Sequence, residues 1–139
     1  MSTLIGIDLG TTNSVVAVFE GREARVLVNE EGQRITPSAV AVDPQGSWVV
    51  GSIARRQVVT APDRTATSVK RIIGRRFEEV EPFAASLPFR IAAQDNGDVA
   101  ALLDGRRVAP EFIAAQILGK LKRAAEAALG ESVDGAVVT

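Results

Sequence analysis

Residues 4–14 read LIGIDLGTTNS. An apolar run, Leu4-Ile5-Gly6-Ile7, meets a carboxylate at Asp8. The polar stretch Gly10-Thr11-Thr12-Asn13 follows before apolar residues resume at Val15. The first run reads as a buried strand over 4–8 and VVAVF (15–19) as its return. A turn at Glu20–Glu23 leads into ARVLVN (24–29), so an antiparallel meander is expected. The polar tip has two readings. Asp, Gly, Thr and Asn are common turn residues, and a plain hairpin turn satisfies the composition. A phosphate-binding tip satisfies the details as well. Glycine lets a ligand approach the backbone, successive N–H groups converge on an anion, and the hydroxyls of Thr11 and Thr12 add donors. Each hydrogen bond to a charged group is worth ~1.5–3 kcal/mol. A carboxylate at Asp8 would repel phosphates, so its presence there argues for Mg²⁺ in between.

Bulk composition narrows the chemistry. The chain has 139 residues, 46% hydrophobic and 24% charged, which suits one globular domain with a real core. A net charge of −1 gives no electrostatic case for nucleic acid or an anionic membrane. No apolar run approaches the ~20 residues needed to span a bilayer. The N-terminus carries no secretory pattern, which favours the cytoplasm. Cysteine and histidine are both absent. That excludes disulfides, thiol nucleophiles, thiolate zinc sites and a Ser-His-Asp triad. Carboxylates, lysine, arginine, hydroxyls, backbone amides and an oxygen-ligated metal remain.

Outward from the first hairpin, NEEGQRITPS (29–38) is a polar loop. AVAV and WVVG flank the turn Asp43-Pro44-Gln45-Gly46 as a hairpin. SIARRQVVT (52–60) and TATSVKRII (65–73) are expected as short helices, the second ending at Gly74. Residues 77–88 give no clean pattern. FRIAA (89–93) and VAALL (99–103) form a further hairpin around Asn96-Gly97, a pair that tolerates positive φ, and Asp104-Gly105 marks another turn. The clearest helix is 110–129, with Pro110 at its first position and Gly130 at its exit. Ile113, Ile117, Leu121, Ala124 and Ala128 follow its 3.6-residue period, and it should pack along a sheet. GAVVT (135–139) reads as the start of a buried strand. Because unpaired buried backbone groups are costly, a chain cut short is the expectation there.

Other phosphate motifs do not compete with the hairpin. GSWVVGSI (46–53) has the glycine spacing of a P-loop but lacks its lysine, and no G-x-G-x-x-G occurs. A nucleotide, if bound, is bound by the hairpin.

The stretch IGIDLGTTNSVVAVFEG resembles the first phosphate loop of the Hsp70 (DnaK-type) chaperone family. Sugar kinases, glycerol kinases and, more loosely, actin-like proteins share a loop of this kind. Three later stretches resemble the chaperone family in the same order: NEEGQRITPSAVAV (29–42), VGSIARRQVVTAPDRTATSVKRIIGRRF (50–77) and AAEAALGESVDGAVVT (124–139). The likeness covers essentially the whole chain and only about the first third of that family's ATPase domain. It implies an α/β fold of the actin/hexokinase/Hsp70 superfamily (ribonuclease H-like), here a partial first lobe. Residues 1–38 and 112–139 would form the inner subdomain, with an inserted α+β outer subdomain at 39–111.

The resemblance also assigns roles. Asp8 matches the family's acidic residue that meets Mg²⁺ through water, and Gly10, Thr11, Thr12 and Asn13 match the loop that holds the phosphates of ATP or ADP. On pattern alone Lys70, in SVKRIIGRR, is part of a solvated basic face with Arg71, Arg75 and Arg76. The resemblance makes it the family's catalytic lysine, placed near the γ-phosphate to orient water and stabilise charge, with Arg71 in support. Implied partners are unfolded client peptides (through a domain this chain lacks), a J-domain co-chaperone and a nucleotide exchange factor. Val15, Ala61 and the Thr67-Ser68 pair depart from the family pattern without touching the loop. The family's second phosphate loop, catalytic glutamate, second metal-side aspartate and adenosine-binding residues have no counterpart here. The 139-residue chain is therefore expected to be inactive alone. A sugar-kinase-like phosphotransferase lobe, a non-catalytic interaction module and, more weakly, an actin-like filament protein are the rival readings.

Overall fold

The computed structural model describes residues 3–139, so Met1 and Ser2 of the expected 1–38 segment lie outside the described residues. Strands β1 (Leu4–Leu9) and β2 (Asn13–Glu20) pair antiparallel, with Ile5 opposite Val18 and Leu9 opposite Ser14. The two-residue period of a strand sends Ile5, Ile7, Val16 and Val18 into the core. Leu4, Gly6 and Asp8 take the other face. β3 (Glu23–Val26) pairs with β2 and completes the expected meander, though it ends before 29. Asn29 ends it by building a turn. Its side-chain carbonyl accepts the N–H groups of Glu31 and Gln33, and its amide donates to the Thr36 hydroxyl. β4 (Thr36–Pro37) then lies against the start of β2, Asn13 opposite Pro37.

The hairpin around Asp43 forms as read, from β5 (Ala39–Val42) and β6 (Trp48–Val50), with the Asp43 carboxylate accepting from Gln45 and Ser47. Helix α1 (Ser52–Thr60) follows. The helix expected over 65–73 is not found. Thr65–Thr67 is a strand, β7, paired antiparallel with β5, and Val69–Arg71 is one 3₁₀ turn. β-Branched Thr65 and Thr67 suit a pleated surface. Ser68, at φ 58°, then turns the chain through the left-handed region and no helix propagates across it.

Residues without a clean pattern become a short helix α2 (Phe77–Val80) and a 3₁₀ stretch, Glu81–Ser86. β8 (Arg90–Ala93), β9 (Val99–Leu103) and β10 (Arg106–Val108) form an antiparallel sheet. Its turn chemistry differs from expectation. At Asn96-Gly97 only Gly97 has positive φ (90°), inside a loop closed by the Gln94 N–H on the Asp98 carbonyl at 2.8 Å. The turn with two left-handed residues is Asp104-Gly105, φ 51° and 74°, between β9 and β10.

Helix α3 (Pro110–Leu129) has the bounds its sequence predicts. Ile113, Ile117, Leu121 and Ala124 are buried, whereas Ala128, in the last turn, is exposed and its neighbour Leu129 packs against the core instead. Its apolar stripe covers the Ile5/Ile7 side of the first sheet, each large side chain contributing about 1.5–3 kcal/mol. Phe112 meets Trp48 edge to face at 5.1 Å, tying the helix to β6. β11 (Gly135–Val138) closes the first sheet, parallel to β1, giving the order β11-β1-β2-β3 with β4 on β2. The expected strand is present but not buried. It pairs on one side only, and Val137 and Val138 are 68% and 46% exposed. A single cluster of buried side chains runs from Ile5 through Val40 and Leu103 to Leu121, joining all three sheets. Among the described residues no helix is long and apolar enough to cross a membrane.

Candidate functional site

The tip between β1 and β2 is a tight turn whose shape follows from Gly10. A β-carbon there would sit 2.2 Å from the Asn13 carbonyl oxygen, so only glycine allows the close approach. The turn is bracketed from beneath by Ser38, which links β4 to β5. Its N–H donates to the Thr12 carbonyl at 2.9 Å and its hydroxyl to the Gly10 carbonyl at 2.8 Å. The Ser14 hydroxyl lies 2.8 Å from that of Ser38. A hydroxyl has one proton, and Ser38 gives its own to Gly10, so Ser14 is the donor of that pair. Ser14 and Ser38 are both buried, at 0% and 3% exposure, so water does not compete for these bonds.

The result is an asymmetric tip. The carbonyls of Gly10 and Thr12 are occupied from below. Among the described residues, no acceptor is paired with the N–H groups of Gly10, Thr11 or Thr12, nor with the hydroxyls of Thr11 or Thr12. Thr11 and Thr12 are exposed, Gly10 and Asn13 half-buried. Such a surface of unpaired donors favours an anion. Asp8 is exposed on the sheet face opposite α3, two residues before Gly10. Among the described residues no cluster of three or more acidic groups could cage a metal. One exposed carboxylate beside a donor-rich tip fits Mg²⁺, which keeps most of its water and takes one or two carboxylates plus phosphate oxygens.

Lys70 stands apart in sequence and near in topology. β7 runs antiparallel to β5 with Thr67 opposite Ala39, and Ala39 follows Ser38. The chain therefore leaves β7 at the end of the sheet where Ser38 holds the hairpin, and the exposed Lys70 lies three residues on. Among the described residues no hydrogen bond or ion pair joins Lys70 to the hairpin. The basic cluster divides. Arg71 donates to the carbonyl and hydroxyl of Ser86, and Arg71 and Arg75 both lie 5.9 Å from the centre of the Phe83 ring. Arg76 reaches the Asn96 carbonyl and pairs with Asp98. Of these four cations, Lys70 alone has no such partner among the described residues. Arg71, expected to support the phosphate site, is engaged instead with the 81–86 segment.

Sequence reasoning passed over Ser14, Ser38 and Lys120. Ser14 has the strand parity of Val16 and Val18, which marks an inward position. Lys120 falls on the apolar stripe of α3, between Ile117 and Leu121. Its ammonium meets the Glu31 carboxylate at 2.9 Å. That hydrogen bond, against some opposing desolvation, holds the Glu31 carboxyl below the usual carboxylate range. The Lys120 stem passes beneath Gly51, at φ 88°, where an added β-carbon would lie 3.3 Å from both Lys120 Cε and Thr36 Cγ2. Helix α3 thus anchors the 29–33 loop and, through Asn29 and Thr36, the strand leading to Ser38. An open groove of about 1000 Å³ adjoins the tip at Asn13 and carries Glu31, Arg34, Arg55 and Arg56.

Comparison with known proteins adds two findings. The family model described as "Hsp70 protein" matches residues 4–139. A curated relative, "Chaperone protein DnaK" of Stenotrophomonas maltophilia (strain R551-3), is 50% identical over 142 residues, covering 100% of this chain. The chain spans 22% of the length of that relative.

Proposed function

The chain belongs to the Hsp70 family, and from that premise we propose that it supplies the N-terminal part of the ATPase domain of an ATP-dependent, cytoplasmic chaperone that assists protein folding. The carrying observation is the tip: carbonyls of Gly10 and Thr12 held from below, donors left open above, on the family's phosphate-loop motif. Proteins of the family bind ATP and ADP with Mg²⁺, and a mixed α/β fold accords with the actin/hexokinase/Hsp70 superfamily. In this reading the inner subdomain is 1–38 with 112–139, and the outer one is 39–111. The sheets β6-β5-β7 and β10-β9-β8 support that division, since both are built wholly within 39–111.

The proposed work of each residue follows from its chemistry. Bound Mg·ATP would bring the reacting phosphoryl group. The N–H groups of Gly10 to Thr12, the two threonine hydroxyls and Asn13 hold phosphate oxygens. Asp8 holds the hydrated cation, and Lys70 orients the attacking water and stabilises charge developing on the transferred group. Unfolded peptides, a J-domain co-chaperone and an exchange factor act on a longer polypeptide that includes this segment. Two experiments test the reading. A polypeptide with the length of the DnaK relative should hydrolyse ATP faster when unfolded peptide and a J-domain protein are added. Sugar-dependent ATP consumption without that stimulation would favour a kinase instead. Residues 1–139 alone should not turn over ATP, and robust hydrolysis abolished by Lys70→Ala would overturn the claim.

A further inference from the structure

We propose that Ser38 is a positioning residue for the tip, fixing which way the peptide groups of Gly10 to Thr12 face. The ligand part rests on the phosphate reading above; the geometric part does not. A short turn has few ways to hold its peptide planes, because neighbouring ladder bonds stop at its base. A Gly10 or Thr12 carbonyl turned outward would present negative charge to an incoming anion. Ser38 prevents this by taking both carbonyls at once, one through its N–H and one through its hydroxyl. Its own backbone is held on both sides, by Pro37 on Asn13 and by Ala39 on Thr67. Its hydroxyl proton goes to Gly10, and its oxygen accepts the Ser14 proton on the other side. The bracket is buried while the surface it shapes is exposed.

The test uses the ¹⁵N-labelled 139-residue chain and Mg²⁺-pyrophosphate as probe. In Ser38→Ala the Gly10 carbonyl loses its donor. The amides of Gly10, Thr11 and Thr12 should then show microsecond-to-millisecond exchange broadening absent from the parent chain. Pyrophosphate affinity read at those amides should fall about tenfold, the equivalent of one such hydrogen bond. Ser38→Thr, which keeps the hydroxyl, should recover most of both. Val108→Ala, a core truncation elsewhere, should lower stability and leave the tip amides unchanged. A folded Ser38→Ala chain with unaltered relaxation at Gly10 to Thr12 would overturn the proposal. If Ser38→Ala does not fold, Ser38→Cys keeps the backbone N–H and replaces the hydroxyl with a weak thiol donor, and unaltered tip relaxation there would overturn the proposal equally. If pyrophosphate moves no tip amide in any chain, the phosphate reading fails, and the relaxation data still decide the role of Ser38.

Discussion

Replacing Gly10 with alanine gives a sharp quantitative prediction. The added β-carbon would stand 2.2 Å from the Asn13 carbonyl oxygen, which is backbone and has no rotamer to escape into. Relief to ordinary contact needs a displacement on the order of 1 Å. The turn has two ways to move. It can pull its carbonyls away from Ser38, losing two buried hydrogen bonds at about 1 kcal/mol each. Or it can spread the Leu9–Ser14 pair at its base, at comparable cost. Against this, alanine narrows the unfolded ensemble and returns about 0.4–1 kcal/mol. The net expectation is a loss of about 1–2 kcal/mol, measured by urea denaturation at constant m-value. Gly6→Ala is the internal control, since its β-carbon would meet only the Ala17 carbonyl at 4.0 Å. It should be neutral or slightly stabilising, so the two alanines should differ by more than about 1 kcal/mol. Equal stability of the two variants, with the Ser38 N–H equally protected from hydrogen exchange, would refute the close-turn geometry.

The Lys120–Glu31 pair should respond asymmetrically. Glu31→Gln leaves a buried ammonium without its carboxylate and should cost about 1.5–3 kcal/mol. Lys120→Met keeps the stem, frees a carboxylate that solvent reaches, and should cost less; the reverse order in thermal denaturation would contradict the pairing. The same pair sets an acid dependence. Because Glu31 is shifted downward in the folded chain, its stabilisation is complete above the ordinary carboxylate range and disappears as pH falls through the folded value. The stability gap between the parent chain and Glu31→Gln should therefore narrow in acid, and a constant gap would count against it. Lys70→Ala should leave the melting temperature of the chain unchanged, since Lys70 is exposed and unpaired among the described residues. In a polypeptide carrying the whole ATPase domain it should lower kcat by about 10²–10³-fold; a loss of only a few-fold would remove Lys70 from the site.

Legibility in the sequence tracked how local each determinant is. Helix α3 announces itself because Pro110, a 3.6-residue apolar stripe and Gly130 all act within one segment. The β1–β2 hairpin does so because its alternation and its polar tip adjoin. The 65–73 segment misled because VKRII has helical spacing, while its first three residues are claimed by an antiparallel partner some two dozen positions earlier. The turn at Asn96-Gly97 misled because a three-residue loop and a two-residue turn accept the same dipeptide. The tip residues could be named from the motif, but the bracket could not. Ser38 reaches Gly10 across 28 positions and Lys120 reaches Glu31 across 89, and neither distance leaves a mark in a single sequence.

In the proposed site, the tip between β1 and β2 receives phosphate with a hydrated Mg²⁺ beside Asp8. The direct measurement is a ¹⁵N NMR titration of the 139-residue chain with pyrophosphate, with and without Mg²⁺. Saturable, millimolar shifts are expected at the amides of Gly10, Thr11 and Thr12, with the Asp8 amide responding only when Mg²⁺ is present. Tip amides that stay fixed at the highest soluble concentration, while residues around Arg34, Arg55 and Arg56 shift instead, would contradict it.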